Sequence, residues 1–157
     1  MNADAPLSTG NDEGALTSSA LPHRIVVGID GSSDSARALD WAVIEAQQSG
    51  ALLDIVTAWM FPMAIGYAFT ATVGEVRDEA RSLVDEAIGH VAEVAPDVVV
   101  RGEAIEQPPG PALVTASKGA DLLVVGSRGM GGFEKMLVGS VGHYCMRHAS
   151  CSVVLVR

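Results

Sequence analysis

LLVVGSRGMGGFEKMLVGS, residues 122 to 140, joins four consecutive apolar side chains to a stretch with five glycines between Gly126 and Ser140. A run that is apolar at every position, not at every second one, suits a strand covered on both faces, as in a parallel sheet between helices. Arg24 to Asp30 (RIVVGID), Leu52 to Met60 and Ser152 to Val156 (SVVLV) are comparable strand candidates, and Val98-Val99-Val100 is a shorter one. The glycine-rich stretch therefore begins at the carboxyl end of a buried strand.

Helical patterns fill the intervals. Gly31-Ser32-Ser33-Asp34 is a turn and cap cluster, Leu39, Ala42, Val43 and Ala46 follow at i, i+3, i+4, i+7, and Gly50 stands where a left-handed C-cap belongs. Ala80, Leu83, Val84, Ala87, Ile88 and Val91 form the inward stripe of a longer helix. Pro108-Pro109-Gly110-Pro111 breaks the chain and starts a short helix over Ala112, Leu113 and Ala116, and Gly139-Ser140-Val141 starts the last one. Five strands alternating with four helices predict a single α/β domain: an open, doubly wound five-stranded parallel sheet with helices on both faces.

The bulk numbers fit one domain: 157 residues, of which 48% are hydrophobic and 18% charged. Residues 1–22, rich in Ser, Asn, Gly and acid, lack apolar periodicity and are expected to be a disordered tail ahead of a domain at 23–157. With no signal-peptide pattern and no spanning-length apolar run, the expected location is the cytoplasm. Two cysteines, Cys145 and Cys151, are too few for a disulfide scaffold and read as small core residues. A formal net charge of -9 argues against nucleic-acid or membrane partners, which need concentrated Lys and Arg. A small anion is still admissible, because Arg128, Lys135 and Arg147 cluster between Gly126 and Ala149 against Glu134 alone.

In doubly wound sheets ligands sit beyond the carboxyl ends of the strands, where the strand order reverses. Gly126 and Gly129 bracket a turn where bare backbone can approach a ligand or take positive φ. Gly139, Ser140 and Val141 open a helix whose free N–H groups and positive dipole end favour a phosphate oxygen. Asp30, on the same sheet edge, can accept from ribose hydroxyls or help hold a Mg²⁺. The same residues also read as an ordinary β-to-α turn, a plain helix start and a capping acid, and composition and spacing leave both readings standing.

The spacing Gly126, Gly129, Gly139-Ser140 is the G-x2-G-x9-G-[ST] pattern of the nucleotide-binding branch of the universal stress protein family, which this sequence resembles from Pro22 to Arg157. IVVGIDGS at 25–32, DLLVVGSRG at 121–129 and MRHASCSVVLVR at 146–157 carry the resemblance further. It implies a Rossmann-like or flavodoxin-like homodimer that binds ATP, or cyclic AMP in some members, acts in stress survival and growth control, and turns over little or nothing. By resemblance, Gly28, Ile29 and Asp30 border adenine and ribose, and backbone near Ala58 meets the adenine edge. Gly126, Ser127, Arg128 and Gly129 contact ribose and phosphates, and Gly139, Ser140 and Val141 hold the outer phosphates. Strand 152–156 pairs with its copy in the homodimer. ATP is favoured over cyclic AMP because the distal Gly-Ser is kept and Lys135 can offset phosphate charge.

Ser152 stands where members often have proline. The uncharged loop from Phe61 to Phe69 reads either as a lid or partner surface or as local packing. His143, Cys145, His148 and Cys151 resemble a metal cluster by count, but ~100° per residue puts His143 and Cys145 on nearly opposite helix faces. The G-x-S-x-G elbow, the Walker pattern and the His-x-Gly-His signature of nucleotidyl transferases are all missing. Beside the regulatory nucleotide-binding dimer stand two alternatives, a weak ATPase or autokinase using a hydroxyl such as Ser140, and a structural dimer without nucleotide.

Overall fold

The computed structural model describes residues 23–61, 72–130 and 138–157. The expectations placed on residues 1–22, on Lys135 and on the 61–69 loop beyond Phe61 lie outside those residues. In chain order the elements are β1 (Arg24–Gly28), α1 (Ser33–Ser49), β2 (Leu52–Trp59), α2 (Val73–Val94), β3 (Val100–Glu106), α3 (Pro109–Ala116), β4 (Leu122–Gly126), α4 (Ser140–His148) and β5 (Ser152–Val156). All strand pairings are parallel, in the order β3-β2-β1-β4-β5. The expected doubly wound five-stranded sheet is thus present.

Side-chain alternation along the strands feeds two cores. Ile25, Val27, Leu53, Ile55 and Val124 point to the face covered by Ala38, Ala42 and Val43 of α1 and Ala87 and Val91 of α2. Val26, Val56, Leu123 and Val125 point to the other face, where Leu113 of α3 and Cys145 of α4 pack. Full burial of each such Val, Leu or Ile is worth about 1.5–3 kcal/mol. Polar residues at alternate positions would therefore forfeit one core, which is why β1 beyond Arg24 and all of β4 are apolar or glycine.

Helix starts and stops follow local chemistry. Ser32 caps α1, its Oγ accepting from Ser35 N at 3.2 Å, and Gly50 ends the helix at φ 67°, ψ 24°, the left-handed conformation its position called for. Thr72 and Glu75 form a reciprocal capping box at α2. At the foot of the sheet Arg24 binds Asp54 Oδ2 at 2.8 Å and donates to the carbonyls of Ala116 and Lys118, tying β1 to β2 and to the end of α3.

β3 departs from expectation. The strand runs from Val100 through Glu106, while Val99 is 64% exposed, so the valine triplet leads into the strand and does not form it. β3 is an edge strand, and only its inner face needs to be apolar or small. At Gly102 a Cβ would collide with Val84, and would lie 2.8 Å from Ile88 Cδ1, so α2 packs directly on the backbone there.

Candidate functional site

Strand order reverses between β1 and β4, whose carboxyl ends lie side by side with Gly28 opposite Val125. A cleft of about 910 Å³ opens at this point, within the ~300–1,000 Å³ range of small-molecule sites. Gly28, Ile29 and Asp30 come to it from β1, and Ala58 from β2. Gly126, Ser127, Arg128 and Gly129 come from the turn after β4, and Gly139, Ser140 and Val141 from the start of α4. All eleven residues singled out in the sequence therefore share one cavity.

The four helix N-termini differ in their donors. α1 and α2 carry side-chain caps, as described above. In α3, Pro109 and Pro111 remove two of the first N–H groups. α4 keeps the amides of Ser140, Val141 and Gly142, has no side-chain cap among the described residues, and opens on the cleft. Its first turn combines unsatisfied donors with the positive dipole end, and Gly139, at φ -72°, contributes no side chain to cover them.

The glycines at the turn serve different neighbours. A Cβ on Gly126 would lie 2.8 Å from the carbonyl carbon of Asp34 and 2.9 Å from Ser35 N, so that glycine lets β4 meet the start of α1. A Cβ on Gly129 would come within 2.5 Å of Asp30 Oδ2. Around Gly139 the nearest atom is Ser127 O at 3.5 Å, an ordinary contact. The positive-φ glycines among the described residues are Gly31, Gly50 and Gly119, so Gly126 and Gly129 provide close approach and not a left-handed turn.

Asp30 and Ser127 turn out to hold the site's framework. Asp30 accepts from Ser32 N at 3.0 Å through Oδ1 and from Met130 N at 3.1 Å through Oδ2, bracing both loops. It does not cap α1, since Ser32 does. Ser127 is 2% exposed; its amide donates to Val156 O at 2.6 Å, its hydroxyl to Asp34 Oδ2 at 2.9 Å, and its carbonyl accepts from Gly139 N at 2.7 Å. The resemblance has Ser127 contacting ribose and phosphates; in this structure its amide donates to β5 and its hydroxyl to α1.

Asp34 is the residue the sequence reading missed. It is 4% exposed, and its carboxylate meets Ser127, Arg128 Nε at 3.3 Å and the Arg37 guanidinium. Burial, the largest single influence, pushes the Asp34 carboxyl upward. Hydrogen bonds from Ser127 and Arg128 and the charges of Arg128 and Arg37 together outweigh it and hold the group below its ordinary range. Within the Gly31–Asp34 cap cluster it looked like a routine first-turn acid; only the tertiary approach of β4 distinguishes it. Leu83 of the α2 stripe also lines the cleft, with Thr57, Glu79, Ser82 and Glu86, which no local motif marked.

Among the described residues no group of three potential metal ligands converges. Cys145 is fully buried in the second core, with His143 and His148 exposed, and Cys151 packs at that core's margin.

A doubly wound α/β domain with a switch-point cleft facing an uncapped helix start is the class that fold and site define. The chain belongs to the universal stress protein family, whose family model matches residues 22–157. The universal stress protein YxiE of Bacillus subtilis is 32% identical over 146 residues, covering 86% of this chain and 99% of that one. A universal stress protein of Mycolicibacterium smegmatis is 32% identical over 152 residues, covering 90% of this chain and 50% of its own length. The chain thus spans about half the length of several relatives it matches. A crystal structure of a universal stress protein in complex with cAMP is 31% identical, with a TM-score of 0.64 over 86% of this chain and 97% of that one.

Proposed function

We propose that this chain is an ATP-binding regulatory homodimer of the cytoplasm, acting in stress response and growth control and not through substrate turnover. The observation that carries the reading is the uncapped start of α4 lying beside the Gly126–Gly129 turn, both opening on one cleft. Backbone amides of Ser140, Val141 and Gly142 would hold the outer phosphates, with Arg128 beside them. Gly28, Ile29 and backbone near Ala58 would border adenine, and Asp30 would face ribose or a Mg²⁺ accompanying the phosphates. The cavity's volume and its unsatisfied donors fit such a group. Bound ATP would supply a phosphate state for the dimer to read, and this chain's residues would bind and orient it.

β5 is an outer strand with Val153 to Val156 half-buried, which suits pairing with a second copy. Cyclic AMP is the second reading, favoured by the relative solved with that ligand at 31% identity. It would need only the first turn, whereas a triphosphate also reaches Gly139-Ser140.

Mild purification, acid release and mass spectrometry, followed by calorimetric titration, test the reading. ATP or ADP at one per chain, with affinity lost in Gly129→Val and Gly139→Val, is expected. Cyclic AMP in its place selects the second reading. A protein that binds neither nucleotide leaves a structural dimer, and phosphate release above a Ser140→Ala control would restore a weak enzyme.

A further inference from the structure

Arg128 touches two things that an anion in the cleft would compete for: the cavity it lines and the carboxylate of Asp34. The contact to Asp34 is a single Nε–H bond at 3.3 Å, longer than usual for a charged pair, and the Arg128 side chain is 40% exposed against 5% for Asp34. A buried carboxylate stripped of its only cation would strongly oppose that loss. Asp34 is not in that position, because Arg37, one helical turn along α1, also binds its Oδ1, and Ser127 Oγ donates to its Oδ2 at 2.9 Å. Its charge stays compensated if Arg128 leaves.

We propose that Arg128 is a shared cation, held by Asp34 when the cleft is empty and surrendered to the ligand's phosphate on binding, with Arg37 as the standing partner that makes the release cheap. Asp34 then acts as a positioning residue that sets phosphate affinity by competing for Arg128. This rests on the nucleotide reading above and adds a regulatory feature to the same site. It also gives each cation a separate role: Arg37 satisfies the buried acid, and Arg128 answers the ligand.

The test compares ATP with adenosine, which lacks phosphate, by calorimetry on the full chain. In Asp34→Asn, Arg128 loses its competitor, and ATP should bind about fivefold tighter with adenosine unchanged within about twofold. In an Arg128→Gln background the Asp34→Asn effect on ATP should vanish. Arg37→Gln supplies a variant with the opposite sign that leaves the buried acid in place: Asp34 should then retain Arg128, weakening ATP about fivefold and sparing adenosine. Equal changes for ATP and adenosine, weaker ATP binding in Asp34→Asn, or persistence of its effect without Arg128 would overturn the proposal while leaving nucleotide binding intact. Wild-type protein that binds neither ligand would overturn both readings.

Discussion

The amide of Gly139 donates to the carbonyl of Ser127 at 2.7 Å, laying the start of α4 across the end of β4. The bond fixes where the helix's open amides lie relative to the turn, and it leaves Gly139 itself uncrowded. Gly126, thirteen residues earlier, is wedged against the backbone of α1. Two glycines of one motif therefore answer to different demands.

Gly126→Ala should destabilise the fold by about 2 kcal/mol, because backbone and not a flexible side chain meets the new methyl. Gly139→Ala should stay within about 0.5 kcal/mol of wild type and act on ligand affinity instead. Urea unfolding of the two variants measures the contrast; equal losses would show that Gly139 is also a packing position.

Asp34 ionises more readily folded than unfolded, so its contribution is complete above the ordinary aspartate value of 3.8 and is lost as pH falls through the lower folded value. Wild type should therefore exceed Asp34→Asn in stability at about pH 7 and lose that advantage as pH falls below the ordinary aspartate value of 3.8 and through the lower folded value. Paired urea melts across this range provide the check, and a constant difference between the two proteins would contradict it.

Arg24 and Asp54 are largely enclosed, at 25% and 18% side-chain exposure, and Asp54 Oδ1 is buried without a partner. Arg24→Leu should cost about 3 kcal/mol, since it strands the acid and frees two carbonyls at the end of α3. Adding Asp54→Ala should recover a good part of that loss. A double variant no better than Arg24→Leu would place the cost in the α3 carbonyls alone.

Cys145 is pushed up to about 11, chiefly by burial and then by its neighbour Cys151, so its thiolate is scarce near neutrality. Iodoacetamide should modify Cys151 first in native protein and reach Cys145 only after denaturation. Peptide mass spectrometry reads the order; early labelling of Cys145 would mean that the second core opens readily.

The elements legible in the sequence were those whose period matched their burial. β1 and β4 stood out because both faces are covered, and α1 because its stripe and Gly50 agree. β3 was hidden because an edge strand can carry Arg101, Glu103 and Glu106 outward, leaving a valine triplet as a stronger but misplaced signal. At the site, spacing brought the glycines and the start of α4 to one cleft. Asp34 stayed invisible because its significance comes from Ser127 and Arg128, more than ninety residues away. Ser127 was legible as a cleft residue, whereas the partners of its amide and hydroxyl depend on how β5 and α1 close around it.

The sheet's two borders are chemically unlike. One carries Arg101, Glu103 and Glu106 on β3, and the other Val153 to Val156 on β5. Under the proposed pairing of β5 with its copy, association would use the same surface on each copy and close upon itself, while the charged border would refuse a further strand. Growth would then stop at two, with the charge on β3 as the terminator that keeps a sheet able to extend through β5 from becoming a fibre.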